Sequence, residues 1–138
     1  MLVFILITST LFMHVIADYN LQGILAMMKQ RDWWKENAPE GLYKNDYLAA
    51  LIAHAFMWSC LIILPALIIC WNTLPWWFYM VWLCTSVFAH SIVDDTKANR
   101  KRINLVSDQL QHVWNMALFL IVPVCIVAGG GSWLSQYL

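Results

Sequence analysis

The chain reads as an all-α polytopic membrane protein, a bundle of about four transmembrane helices. Hydrophobic residues fill 62% of its 138 positions and charged residues only 12%, about half the charged share of a soluble domain. The apolar residues gather in four long stretches, each close to the ~20 residues a helix needs to cross a ~30 Å hydrocarbon core. All eight Lys and Arg residues lie between those stretches. Lipid cannot satisfy an open backbone, so spanning segments are helices or closed barrels, and the short alternating pattern of barrel strands is missing. The length predicts one transmembrane domain over residues 1–138.

The first segment covers about residues 2–28 and turns more polar after Asp18. Leu2 to Ala17 could pass for a signal-peptide core, but no positive charges precede it, so a first transmembrane helix is expected instead. The second runs over about 47–71, with a kink expected at Pro65. The third covers about 76–94 and the fourth about 103–128. Between them lie a polar loop from Lys29 to Asp46, a tight turn from Asn72 to Pro75, and a basic loop from Lys97 to Arg102. A tail follows from Gly129, Gly130 and Gly131 to Leu138.

Orientation follows from the positive charges. Lys29, Arg31, Lys35 and Lys44 fall in the first loop, and Lys97, Arg100, Lys101 and Arg102 in the third. The positive-inside rule predicts both loops on the cytoplasmic side and both termini outside. Trp71, Trp76, Trp77 and Tyr79, with Trp133 and Tyr137 of the tail, fit an outer aromatic belt, and Trp33 and Trp34 an inner one. The net charge of zero offers no basic footprint, so nucleic acid is not an expected partner. Cys60, Cys70, Cys84 and Cys125 form no CxxC pair and read as small buried hydrophobes rather than a zinc ribbon or disulfide framework.

The chemistry gathers on four histidines, all within the apolar segments. Three have an aspartate four residues away: His14 with Asp18, His90 with Asp94, and His112 with Asp108. His54 stands alone on the second segment. Side chains four apart project from one helix face, so both members of a pair can approach one centre. His54, His90 and His112 lie seven to ten residues from the nearest basic residue of a loop, or roughly 10–15 Å deep at ~1.5 Å per residue. Each site continues as a polar stripe: Thr10, His14, Asp18, Gln22; Ser86, His90, Asp94, Lys97; and Asn104, Asp108, Gln111 or His112, Asn115. In lipid such stripes must face the bundle interior or a water-filled hollow.

Imidazole with carboxylate suits Zn²⁺, Mn²⁺ or Fe²⁺, and the lack of thiolate ligands argues against copper(I) and iron–sulfur clusters. His14, Asp18, His54, His90, Asp94, Asp108 and His112 exceed the needs of one tetrahedral zinc. They would bind two ions, or one ion with carboxylates orienting the histidines from behind. Hydrolysis would then use water acidified by the metal, with Asp95 or a non-ligating aspartate as general base. Lys97, Arg100, Lys101 and Arg102 lie where they could hold an anionic headgroup or phosphate.

The strings HVIADYNLQ (His14 to Gln22), HSIVDDTK (His90 to Lys97) and DQLQH (Asp108 to His112) together resemble a family of small four-helix membrane proteins of bacteria and their phages, known as a domain of unknown function. Its pattern is HxxxD[FY]xxQ, a lone histidine on the second helix, HxxxDxxK and DQxxH. The resemblance covers nearly the whole chain and points to His14, Asp18, Gln22, His54, His90, Asp94, Lys97, Asp108, Gln109 and His112. It implies a bacterial inner membrane location. More distantly the arrangement is similar to membrane-bound metal-dependent hydrolases. One departure stands out: a second polar residue is expected one turn after His54, where this chain has Met57 and Trp58.

Three function classes remain open. The first is a metal-dependent hydrolase acting on an amphipathic ester, amide or phosphoester from the inner leaflet. The second is a transporter or sensor of metal ions or protons, for which a His–Asp hydrogen-bond relay or bis-histidine haem are alternative readings of the same residues. The third is an interaction protein, such as a phage-borne exclusion factor. The fourth segment is apolar from Ala117 to Val127, and the second from Cys60 to Cys70, so the polar funnel closes toward the outside. A homodimer is compatible with so small a bundle, though no GxxxG-type face marks one.

Overall fold

The computed structural model describes residues 1–129, so Trp133, Tyr137 and the rest of the tail lie outside the described residues. Four of its six α-helices are long and apolar enough to cross a membrane. These are α1 (Leu2–Val15), α4 (Asp46–Ile69), α5 (Trp76–Ala98) and α6 (Leu105–Ala128). The first span continues past α1 as a π-helical turn, Ile16–Asn20. Two short helices, α2 (Leu25–Met28) and α3 (Arg31–Asn37), and a 3₁₀ turn, Gly41–Tyr43, lie between the first and second spans.

The spans pack in the ring order α1, α4, α5, α6, with α6 closing against α1. Short connections make α4, α5 and α6 successively antiparallel, and Leu6 near the start of α1 packs in one core with Ile62 and Ala66 near the end of α4, which gives an up-and-down four-helix bundle. Around the outside, Phe4, Phe12, Phe56, Ile68, Phe88, Trp114 and Leu118 are all exposed. An apolar girdle this continuous belongs against lipid rather than water.

Several boundaries differ from the sequence expectation. The first helix does not run to residue 28: after the π turn the chain breaks at Gly23, whose φ of +49° is open to glycine and strained for other residues. The third span does not stop at Asp94 but continues to Ala98. Its carboxylates find cationic partners, so the helix has no reason to end there. α4 runs through Pro65 and α6 through Pro123. Tyr79 is buried, not in the aromatic belt, and its hydroxyl donates to Ala66 O at 3.4 Å. Trp71, Trp76 and Trp77 are exposed at that end as expected. Of the cysteines only Cys70 is buried; Cys60, Cys84 and Cys125 face outward.

The half of the bundle far from the basic loops is packed solid. Leu6, Ile62, Ala66, Trp82, Met116 and Leu120 form one core, and Trp82 stacks on Phe119 with centroids 5.5 Å apart. At the other end the two basic loops dock on each other. The Asn99 side chain accepts from Arg31 N at 2.7 Å and donates to Lys29 O at 3.1 Å. Lys35 and Lys101 both reach exposed Asp32 and hold its carboxyl below the usual carboxylate range. Arg31 is fixed over Tyr47, its Cζ 4.5 Å from the ring centroid.

Candidate metal centre

Where the sequence places polar stripes, the helices turn them inward. Thr10, His14, Asp18, His54, Ser86, His90, Asp94, Asp108 and His112 are all buried. On α6 the inward residue is His112, while Gln111 faces out. Asn104 caps α6, its side chain accepting from Ser107 N at 2.9 Å. The π turn carries Asp18; extra residues of this kind inside a helix often aim a functional side chain.

Six residues form a continuous ring of candidate ligands. Three buried groups recur, each with ligand atoms within 4.8 Å of one another: Asp18, His54, His90; His90, Asp94, His112; and Asp18, Asp108, His112. Asp94 sits at the middle. His54 Nε2 lies 3.4 Å and His90 Nε2 3.6 Å from its Oδ2, and His112 Nε2 lies 3.5 Å from its Oδ1. His54 Nε2 is also 3.5 Å from Asp18 Oδ1, and His112 Nε2 3.5 Å from Asp108 Oδ1. These separations exceed a normal N–H···O hydrogen bond. They match the ~3.4 Å expected between two ligands that each sit ~2.1 Å from one tetrahedral ion.

Hydrogen bonding gives the same indication. All six ring nitrogens of His54, His90 and His112, and Oδ1 of Asp108, are buried without a hydrogen-bond partner among the described residues. A buried imidazole that satisfies neither nitrogen is costly and requires an explanation. Charge adds to this. Lys29 Nζ donates to Asp94 Oδ2 and Lys97 Nζ to Asp108 Oδ2, each at 2.6 Å. Three buried carboxylates therefore face two ammonium groups, and either a bound cation or a protonated ring imidazole such as His112 would balance the third. The donor set is all nitrogen and oxygen, which fits zinc, manganese or iron(II).

His14 plays a different part. Trp58 Nε1 donates to His14 Nδ1 at 2.8 Å, and His14 Nε2 meets Gln109 Oε1 at 3.0 Å. An indole nitrogen only donates, so Nδ1 is the bare nitrogen and Nε2 carries the proton. The Gln109 amide is fixed the same way. Its Nε2 donates to Asp18 Oδ2 at 2.6 Å and to Asp108 Oδ2 at 3.1 Å, so its oxygen accepts from His14. One directional chain thus runs from Trp58 through His14 and Gln109 to two carboxylates of the ring. Gln22 Nε2 adds bonds to the Asp18 carboxylate, at 3.1 Å, and to Asp18 O. With both nitrogens hydrogen-bonded, His14 stands behind the ring and outside its three groups of ligand atoms.

Asp95 also stands apart from the ring. Its two oxygens accept from Asn99 Nδ2 at 3.0 Å and Arg100 Nε at 2.8 Å, and it lines a separate lipid-side groove with Ile52 and Phe88. It does not join the ring. Arg100 is spent on Asp95, so of the third-loop cations Lys97 and Lys101 alone line the clefts above the ring.

Trp58 and Lys29 are site residues that sequence reasoning overlooked. Trp58 sits one turn after His54, where a polar residue was expected. Its ring stacks on His90 with centroids 4.3 Å apart, while His90 stacks on His112 at 4.1 Å. A tryptophan in mid-span, far from either interface, was the available signal. Lys29 had no such signal, because its role depends on α2 packing against α4, from where its side chain reaches Asp94 of α5.

No family model, curated protein or solved structure matches this chain. The resemblance to the four-helix phage and bacterial proteins therefore identifies no family, and the site itself carries the functional argument.

Proposed function

We propose that the chain is a membrane-embedded metal-dependent hydrolase that acts on a lipid or other amphipathic ester or phosphoester from the leaflet beside its two basic loops, the cytoplasmic one. His54, His90, His112, Asp18, Asp94 and Asp108 would hold one or two divalent ions, zinc foremost. When bound, such an ion polarises an ester oxygen and acidifies water. The protein's own residues do the rest. Gln109 holds Asp18 and Asp108 apart, Lys29 and Lys97 balance carboxylate charge, and Trp58 walls the ring on its apolar side.

The observation that carries this reading is the set of unpartnered buried imidazole nitrogens, of which Nε2 of His54, His90 and His112 each lie beside a carboxylate oxygen. Two further features favour an enzyme over a transporter. Polar clefts reach Asp18 and Asp94 from the loop end. Beyond the ring, Ile62, Trp82, Met116 and Leu120 close the bundle with an apolar core among the described residues.

Elemental analysis of the detergent-purified protein tests the reading, together with assays on vesicles of phospholipid. The wild type should retain at least one equivalent of zinc, manganese or iron and release a water-soluble or fatty-acid product. His90→Ala should lose both. A wild type that retains no metal after loading and dialysis would rule the proposal out.

A further inference from the structure

Two cavities above the ring are parts of one cleft. The first, about 420 Å³, reaches Asp18 and Gln109; the second, about 320 Å³, reaches Asp94 and Lys29. They share Gln22, Ala26 and Lys97. The cleft is open because α1 gives way to the Gly23 break, beside which there is no atom within 4 Å of an added Cβ.

Its chemistry is selective. Lys29, Lys97 and Lys101 line it, and no carboxylate other than Asp18 and Asp94 does so among the described residues. Lys29 and Lys97 each commit one N–H to a carboxylate, and an ammonium has three. Lys101 is exposed and, among the described residues, reaches only Asp32, at 3.5 Å. The cleft therefore keeps several cationic donors for an anion, and its two carboxylates, Asp18 and Asp94, belong to the ring below. Its margin is apolar. Leu105 lines it and is 52% exposed, and Ile24 and Met27, next in sequence to cleft residues Gly23 and Ala26, are also exposed. Charged groups inside and apolar residues at the lip suit a molecule with an anionic head and a chain left in the bilayer.

We propose that this cleft takes the phosphate of an anionic lipid, presented sideways from the bilayer past Ile24, Met27 and Leu105, with Lys97 and Lys101 gripping the phosphate above the ring. Resting on the metal-hydrolase reading, this narrows its substrate to phosphate-bearing anionic amphiphiles.

The test is retention of radiolabelled phosphatidic acid by zinc-loaded protein immobilised in detergent micelles, against phosphatidylcholine and against competition by inorganic phosphate. Three variants accompany the wild type. Ala26→Trp fills the part shared by both cavities and removes no charge. Lys101→Gln removes one cation, and Lys35→Gln removes a cation outside the cleft. The wild type should retain phosphatidic acid over phosphatidylcholine. Ala26→Trp should lose most of this retention and Lys101→Gln about fivefold, while Lys35→Gln matches the wild type. Equal retention by all four proteins overturns the proposal. So does displacement of the lipid by an equal concentration of inorganic phosphate, which marks a site for free phosphate without a bilayer route. Zinc content is read on the same samples, so a wild type that holds lipid without zinc contradicts the metal reading and upholds the cleft.

Discussion

Trp58 and His14 are joined by a 2.8 Å hydrogen bond from the indole to Nδ1, and that bond decides which nitrogen of His14 carries the proton. From it follow the orientation of Gln109 and the placement of Asp18 and Asp108. The tryptophan found where a polar residue was expected on α4 thus orders candidate ligand carboxylates from two other spans.

Trp58→Phe keeps an aromatic ring against His90 but removes the donor. His14 Nδ1 is then buried without a partner, at a cost of about 1–3 kcal/mol. Metal affinity should fall by roughly 10–100-fold, the usual effect of losing an outer partner of a metal ligand. Isothermal titration with zinc measures this; unchanged affinity in a folded variant would dissociate His14 from the site.

Gln109→Glu replaces an amide that donates to two carboxylates with a third carboxylate. Like charges this close in a buried setting repel, so the metal-free protein should melt well below the wild type in a thiol-dye thermal assay. Added zinc should recover a larger share of the lost stability than it adds to the wild type, because the cation relieves the repulsion.

Lys29→Met takes the ammonium from Asp94 and leaves a buried carboxylate without its strongest partner. Removing one member of a buried pair costs about 3–5 kcal/mol. The same thermal assay should show a marked loss without metal. Asp95→Asn serves as the contrast, since it disturbs only the Asn99 and Arg100 contacts near the surface and should leave zinc stoichiometry intact.

Orientation is a separate prediction. Lys35 is exposed at the basic-loop end and Trp71 at the opposite end. In a background with the four cysteines replaced by serine, Lys35→Cys should react with a membrane-impermeant maleimide only after the inner membrane is opened, and Trp71→Cys in intact spheroplasts. The reverse pattern would put the cleft in the outer leaflet.

The spans and the inward stripes were legible because hydropathy and helical spacing are local properties. His90, Asp94, Asp108 and His112 could be placed on their faces from spacing alone. What sequence could not supply was partnership across the bundle. Trp58 and His14 are 44 residues apart, Lys29 and Asp94 65, and Gln109 and Asp18 91. Asp95 adjoins Asp94 in sequence, yet one residue is a ~100° rotation around a helix, which carries it to another face. The end of the first helix was misplaced because Gly23 lies inside an otherwise apolar run, and only its backbone conformation reveals the break.

X-ray absorption at the zinc edge of the loaded protein bears most directly on the central claim. The account predicts a first shell of nitrogen and oxygen only, at ~2.0–2.1 Å, with the outer scattering of two or three imidazoles, reduced in His112→Ala. A sulfur shell at ~2.3 Å, or a shell without imidazole, would place the ion elsewhere and contradict it.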